Sequence, residues 1–363
     1  MRHAKHVYVA MFADCEFGRV SQLRSTISTN RSRPVAKRLI LTHATRRSTP
    51  TFIVAVAFAI ATSSAGADEG GVSFWAPGQF GSFSAVPGEQ GWAVPLVYYH
   101  VSADAGASKN FIVGGNLTAG IDAKGDLLFF FPTYTFTQAV LGGQGAFGVG
   151  WAVGHLRGTA EITVTGPQGN TLTEKRTDTV SGGSDIYGLG TLKWHDGNNN
   201  YLAYTMFGAP TGAYQLGRLA NLSTNHWSID AGGGYTYLDA KKGHEFSIVG
   251  GLTYNFENDD THYKNGVDSH IDWAASQFLN EQVHVGVVGY YFYQLTGDSG
   301  AGAKLGAFKS RIGGIGPQIG YFFPIGKEKG YVNLKGYWEF GAQNRAEGWN
   351  LWLSLALPLS VGN

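Results

Sequence analysis

The chain has 363 residues, with 27 basic and 26 acidic side chains, a single cysteine and 49 aromatic residues. That aromatic content excludes a disordered chain, and the missing basic excess excludes a nucleic-acid-binding face. One cysteine, Cys15, excludes a disulfide scaffold and a thiolate metal site.

The first element is a leader. Arg46 and Arg47 precede the apolar run Thr51–Ala61, and Ala65-Gly66-Ala67 is followed by Asp68-Glu69. This order predicts a secretory signal peptide over 1–67, cleaved after Ala67, where small residues occupy the two positions the peptidase reads. The apolar run is about half the ~20 residues a membrane-spanning helix needs. Residues 1–40 are long for the basic region of such a signal and receive no function. Removing 1–67 takes ten basic and two acidic side chains with it, which leaves 296 residues of net charge −7. Charged residues are then roughly 14%, against about 25% in a typical soluble domain.

Residues 68–90 form a segment of their own. Ala76–Gly91 is apolar and punctuated by Pro and Gly, without the alternation of a strand. It reads either as a plug folded into the domain C-terminal to it or as a tail outside that domain. Phe74, Trp75, Pro77, Gly78, Pro87 and Gly88 are its plug candidates.

From there the chain is strand after strand. The strand-like stretches are 91–103, 113–136, 144–165, 172–196, 200–209, 226–239, 244–257, 266–279, 281–296, 309–324, 331–343 and 348–359. Period-two alternation, clear in 244–257, 331–343 and 348–359, marks strands with one apolar face. In Glu245–Phe256, for example, Phe246, Ile248, Leu252, Tyr254 and Phe256 share one face, and Glu245, Ser247, Thr253 and Asn255 share the other. In Trp349–Leu359 the odd positions are apolar, so Leu353 and Ser354 face opposite ways. Three further features set these strands apart from those of a soluble sandwich. Most are about 12–16 residues long, beyond the usual 5–6. Charges are scarce outside the turns. Tyr98-Tyr99, Trp227, Tyr235, Tyr290-Tyr291 and Trp349 lie near strand ends, where interface girdles sit. With export, these features predict an all-β fold, an antiparallel transmembrane β-barrel of the bacterial outer membrane over 91–359, with 360–363 as a tail.

Twelve strands is an even number, as a single-chain barrel with both termini in the periplasm requires. Two stretches, 113–136 and 172–196, exceed one plain strand; each holds a bulge, extends beyond the membrane or hides a hairpin, and hidden hairpins would give fourteen. Tight turns at 196–200, 240–243, 280 and 325–330 mark the periplasmic rim, and the longer connections 210–225, 258–265 and 297–308 mark the outside. In this register the polar face lines the lumen with Asp230, Glu245, Asp268, His270, Asp272, Gln294, Lys335, Tyr337, Glu339 and Arg311. Apolar members such as Val288, Phe292 and Phe278 make that lumen amphipathic. A barrel of this size leaves room for a small ligand path partly filled by side chains.

Several local patterns resemble chemistry without supplying it. Gly297-Asp298-Ser299-Gly300 matches the tetrapeptide around a serine protease nucleophile, but it sits in a Gly-rich outer loop, and that chemistry also needs a base and an oxyanion hole. His226-x-Ser228 and Asp268-x-His270-x-Asp272 point inward, where lumen hydrogen bonding explains them better than lipid hydrolysis. Asn258-Asp259-Asp260 with Asp268 fits an acidic surface loop better than a Ca²⁺ site. Asn116-Leu-Thr118 is a glycosylation pattern without meaning in a bacterial outer membrane. The reading is therefore of a protein that is not an enzyme, with no cofactor and no metal.

A run of short motifs carries a family resemblance. These are Phe74-Trp-Ala-Pro-Gly-Gln-Phe-Gly81 with Val86-Pro-Gly88, Phe131-Pro-Thr-Tyr-Thr-Phe136 with Leu141-Gly-Gly143, Thr236-Tyr-Leu-Asp239, and Asn265-Gly266 with His270-x-Asp272. Gly289-Tyr290 with Gln294, Gly297–Gly302, Gly316-Pro-Gln318 and Gly348-Trp-Asn350 come after them. In that order, over about 73–359, they resemble the outer-membrane family named for the meta-pathway of phenol degradation, distantly similar to fatty-acid and toluene uptake channels. The resemblance implies uptake of small hydrophobic or aromatic compounds and identifies no catalytic residue. One departure is the chain end, Leu357-Pro-Leu-Ser-Val-Gly-Asn363, which lacks the terminal aromatic of most barrels and places the assembly signal within Trp349–Leu359.

Two functions fit these residues. One is a passive channel for small hydrophobic or aromatic solutes; the other is a structural or lipid-modifying barrel closed by its own polar network. The partners expected are the lipid bilayer and lipopolysaccharide, the barrel assembly machinery and, for a channel, the solute.

Overall fold

The alternation becomes pairing in a computed structural model, which describes residues 73–113, 116–165, 171–326 and 328–359. The predicted signal peptide and the tail 360–363 lie outside the described residues. The strands in chain order are β1 (Gly91–Val113), β2 (Asn116–Phe130), β3 (Thr133–Val140), β4 (Gly143–Thr165), β5 (Thr171–Gly183), β6 (Ile186–Asp196) and β7 (Asn199–Ala209). They continue as β8 (Ser228–Asp239), β9 (His244–Asn255), β10 (Asp268–Phe278), β11 (Val283–Gln294), β12 (Arg311–Ile325), β13 (Glu328–Gln343) and β14 (Glu347–Leu359). All pairings are antiparallel, and β14 returns to β1 from Trp92↔Leu359 to Asp104↔Glu347. The sheet therefore closes on itself, which removes the unpaired edge that lipid does not tolerate.

Twelve strands make the closed barrel, and two are extra segments of strands already counted. β2 and β3 succeed one another along one line between β1 and β4. β5 and β6 do the same along β4. The first break falls at Phe131-Pro132, where proline has no N–H to give the ladder. At the second, the hydroxyl of Ser184 replaces a peptide: Ala152 N donates to Ser184 Oγ at 2.7 Å while Ser184 N donates to Ala152 O at 2.8 Å. Neither overlong stretch hides a hairpin. The expected end of the first strand at 103 is corrected, because β1 runs on to Val113 through an irregularity between Ala105 and Asn110.

The two faces separate as period two requires. Phe246, Ile248, Leu252, Tyr254, Leu353 and Trp349 are exposed on the outside, while Glu245, Ser247, Thr253 and Asn255 are buried within. Tyr99 and Tyr290, expected at an interface girdle, turn inward instead and join a buried cluster with Phe292, Tyr337 and Trp352. A charge on the outer face should be costly. We expect Leu353→Arg to lower folding stability in bilayers by about 2–4 kcal/mol if the site is near mid-membrane. Ser354→Arg, on the inner face, should cost less; equal losses in equilibrium unfolding would show that the faces are assigned wrongly.

The interior is a filled space. Residues 73–90 run through it, and Phe74, Trp75 and Ala85 pack with Leu202, Tyr204, Met206 and Val249 of β7 and β9.

Candidate functional site

The segment 73–90 enters at the short-turn rim, where Gly88 N donates to Gln144 Oε1 at 2.7 Å and Gln144 Nε2 donates to Gly88 O at 2.8 Å. With no strand beside it, its peptide groups need side-chain partners. The barrel wall supplies them. Asp272 on β10 accepts from Gly78 N through Oδ1 and from Phe80 N through Oδ2, each at 3.0 Å. From the opposite side Lys335 on β13 donates to Gly78 O at 2.6 Å and to Phe80 O at 3.2 Å. One carboxylate and one ammonium thus hold the N–H and the C=O of the same two residues, Gly78 and Phe80.

Gly78 is required at this clamp. Its φ is +87°, and an added Cβ would stand 2.9 Å from the ring of Tyr337, whose hydroxyl donates to Gly78 O at 3.4 Å. Lower down, Glu245 on β9 accepts from Ser82 Oγ at 2.8 Å and from Phe83 N at 3.1 Å, while Gln318 Nε2 donates to Ser82 Oγ at 2.8 Å. Ala85 N donates to Thr236 Oγ1 at 3.1 Å, and the Phe83 ring sits among Phe278, His284, Phe322 and Tyr331.

At the other end of the segment, the Trp75 ring lies 3.5 Å from His270, 12° from parallel. His270 Nε2 is in turn 2.8 Å from Asp230 Oδ2, and both side chains are buried.

The outer loops are held by carboxylates that alternation could not single out. Asp185, between β5 and β6, accepts from Thr211 N and Gly212 N through Oδ1 and from Thr224 N through Oδ2, each at 3.0 Å. This folds 210–225 inward, so that Ala220 and Leu222 pack on Val180. Asp298 accepts from Tyr263 Oη and Gln294 Nε2 and, at 3.1 Å, from Gly266 N. Burial pushes its carboxyl up to about 6. Asp185→Ala should release the first of these loops. Trypsin applied to the folded protein should then cut after Arg218 faster than in wild type; an unchanged rate would show that packing alone holds the loop.

Of the ten lumen residues read from the sequence, Asp230, Glu245, Asp268, His270, Asp272, Gln294, Lys335 and Tyr337 are buried. Glu339 is half-buried, accepting from Tyr290 Oη at 2.6 Å and Gly348 N at 2.9 Å. Arg311 is a correction. It is exposed, and Ile312 takes the inward position, because β12 alternates without a break and Arg311 has the parity of the outward-facing Ile315 and Ile319. Of the plug candidates, Phe74, Trp75 and Gly78 are buried, Pro77 and Pro87 are half-buried, and Gly88 is exposed at the rim. Ser247 and Gln318, absent from that selection, also contact the segment; both sit on the inward register, which is the signal that could have found them.

The patterns that resembled catalysis are taken up by structure. Ser299 pairs its backbone with Lys264 in the outer loops, whereas His270 belongs to the interior pair with Asp230. Ser228 Oγ donates to Asn255 Oδ1 at 2.9 Å. Asn258 and Asp260 accept from Asn225 Nδ2, and among the described residues no group of His, Cys, Asp and Glu is arranged to hold a metal ion.

The COG4313 outer membrane channel from Pseudomonas putida F1 superposes on this barrel with a TM-score of 0.55 at 14% identity, over 76% of this chain and 97% of that one. A Pseudomonas aeruginosa FadL homologue gives a TM-score of 0.39 at 7% identity, over 74% of this chain and 90% of that one. The transport unit of the autotransporter AIDA-I from Escherichia coli gives 0.40 at 11% identity, over 74% and 89%. No curated protein matches. The family profile described as the putative MetA-pathway of phenol degradation matches residues 95–355, nearly the whole barrel, and the chain belongs to that family.

Proposed function

We propose that this protein is a channel of the bacterial outer membrane that passes small hydrophobic or aromatic solutes and is closed at rest by residues 73–90. The observation that carries this reading is the clamp of Asp272 and Lys335 on Gly78 and Phe80. It holds the segment through its backbone, so the segment is a seated plug rather than a periplasmic tail. A polar clamp of this kind can be released without unfolding the barrel, because its partners are side chains and not a strand ladder.

The interior also suits the solute class. Aromatic surfaces of Phe83, Tyr290, Phe292 and Trp352 line it among the polar groups. Moving apolar surface out of water onto such rings gains about 25 cal/mol per Å², enough for weak and reversible capture. Outside, a groove of about 480 Å³ lined by Pro317, Ile319, Leu334, Trp338 and Leu351 lies over the inward residues Tyr337 and Asn350. A hydrophobic solute would find apolar contact there on the lipid side.

Export by a signal peptide cleaved after Ala67 completes the reading, and N-terminal sequencing of outer-membrane material beginning at Asp68 would support it. The decisive experiment is solute flux. Liposomes carrying the purified protein should take up a small aromatic such as benzyl alcohol faster than empty liposomes, with saturation at high solute. Uptake no faster than in empty vesicles would favour a structural barrel instead. Lipid cleavage lost on replacing Ser299 or His270 would favour an enzyme.

A further inference from the structure

On the outward face of β1, β2, β4 and β5 the side chains stand in rows, each member the register partner of the next. Leu128 on β2 and Val153 and Trp151 on β4 are exposed and apolar, and Phe130 stacks on Trp151. One row further from the short-turn rim come His100, Asp126, His155 and Ser181. The row beyond is Ser102, Lys124, Arg157 and Thr179. The face thus turns from apolar to polar within one row, and the exposed Trp349 lies at the change, its ring 4.7 Å from His100. A step of this kind with a tryptophan on it marks the interface of the outer leaflet.

The first polar row satisfies itself. Asp126 Oδ1 accepts from Tyr98 Oη at 2.5 Å and lies 2.8 Å from His100 Nδ1, while His155 Nδ1 lies 2.8 Å from Ser181 Oγ. The second row does not. All four of its side chains can donate hydrogen bonds, two are cations, and none is an acid. Lys124 and Arg157 stand directly opposite each other, both exposed, and neither enters an ion pair among the described residues. Like charges directly opposite destabilise a sheet. The acids of this face are a row away: Asp126 is engaged by Tyr98 and His100, and Asp122 stands between Asp104 and Thr159.

An anion shared by Lys124 and Arg157 would turn their repulsion into attraction, and the depth of the pair selects the anion. Two residues of strand advance about 6.6 Å, which a barrel tilt of about 40° reduces to about 5 Å along the membrane normal. The pair therefore lies about 5 Å beyond the His100 row and about 10 Å beyond Leu128 and Val153. Headgroups add about 5–7 Å to each side of the hydrocarbon core, so this is phosphate depth. Beneath the pair, Leu128, Val153 and Trp151 offer apolar surface to acyl chains. Above it, Asp104 and Asp122 would repel a second anionic layer but accept from sugar hydroxyls. A free phosphate would use the middle row alone.

We propose that Lys124 and Arg157, flanked by Ser102 and Thr179, seat a phosphate of an outer-leaflet glycolipid of the lipid A class, with its acyl chains on Leu128, Val153 and Trp151. The site rests on the outer-membrane placement in the reading above and not on passage of solute, so lipid binding and flux can fail separately.

The test is equilibrium binding to the detergent-solubilised protein, read by native mass spectrometry, with bisphosphorylated lipid A and the same lipid stripped of its phosphates as probes. Wild type should bind the phosphorylated lipid more tightly. Lys124→Gln with Arg157→Gln should weaken it about tenfold or more, the usual loss of one charge-assisted hydrogen bond, in a barrel that keeps the heat-dependent gel mobility of wild type. Arg157→Lys, which keeps the charge and loses the planar fork, should fall between. Arg311→Gln removes an exposed cation on β12 and should leave binding unchanged. Equal binding of the two lipids by wild type, equal binding by wild type and the double variant, or an equal loss in Arg311→Gln would overturn the site. Displacement of the lipid by millimolar inorganic phosphate would overturn the glycolipid as its occupant. Binding that depends on Lys124 and Arg157 in a protein that passes no aromatic solute would support the site and remove the channel.

Discussion

Deleting residues 73–90 is expected to turn an electrically quiet barrel into a steadily conducting one in planar bilayers. The segment fills the interior from the rim at Gly88 to the level of His270, and its contacts reach strands from β4 to β13. The strands that hold it pair with one another without it, and the seam between β1 and β14 lies elsewhere in the wall. Assembly should therefore survive, with the losses confined to the interior. Without the segment, Asp272, Glu245 and Lys335 lose their backbone partners and must take water, which a barrel of this width can admit. The hydrated path should conduct small ions with little selectivity. If the deleted protein is assembled and stays as quiet as wild type, the inward-folded loop at 210–225 closes the barrel and the segment does not.

Asp272→Ala is the single substitution expected to do most to release the segment. It strips the carboxylate from two backbone donors, Gly78 N and Phe80 N, and leaves the buried Lys335 on the carbonyls of the same residues without its counterpart. Breaking one side of a buried charged arrangement costs about 3–5 kcal/mol. Even the lower figure moves a docked–undocked equilibrium about a hundredfold. The predicted mature chain has no cysteine, so Ala85→Cys can report on docking; Ala85 is fully buried. Labelling of that cysteine by a soluble maleimide should be about a hundredfold faster when Asp272→Ala is added. Asp272→Asn, which keeps one acceptor oxygen, should fall between. A double-mutant cycle with Lys335→Met should show strong coupling. Equal labelling rates in all of these would mean that Glu245 and the apolar packing of Trp75 hold the segment by themselves.

How much of this was legible in the sequence depended on whether the two faces of a strand meet different surroundings. Along β9 one face meets lipid and the other the polar interior, so Phe246 and Glu245 separate at sight. In β1 beyond Ala103 the chain reads Asp-Ala-Gly-Ala-Ser-Lys, and a strand without that contrast leaves no alternation to read. The Arg311 placement failed for a different reason: it followed the charge and not the parity, which Arg311 shares with the outward-facing Ile315 and Ile319. Composition suggested that 68–90 was not strand, but not where it goes. Gly78 and Asp272 are 194 residues apart, and no local pattern joins them. Asp185 and Asp298 were missed likewise, because a carboxylate that collects loop N–H groups has no period.

The attachment of the segment to β1 has a consequence for how the molecule is made. The strand that carries the segment is also one side of the closing seam, since β1 pairs with β14. The first residues of the barrel domain therefore cannot find their final partners on β8, β9, β10 and β13 until nearly the whole domain has been synthesised. Before closure those partners form no enclosed surface, and afterwards the only way in at that end is the narrow rim. The order of events then matters: a chain that closes first must thread its own N-terminal end upward past Lys193, which donates to Val86 O at 3.0 Å, and Glu245, whereas one that folds the segment against the open sheet closes around it. A bulky domain fused ahead of Ser73 would block the first route and burden the second. Such a fusion should yield barrels that are assembled but unplugged, a separable outcome that makes closure order a measurable property of this chain.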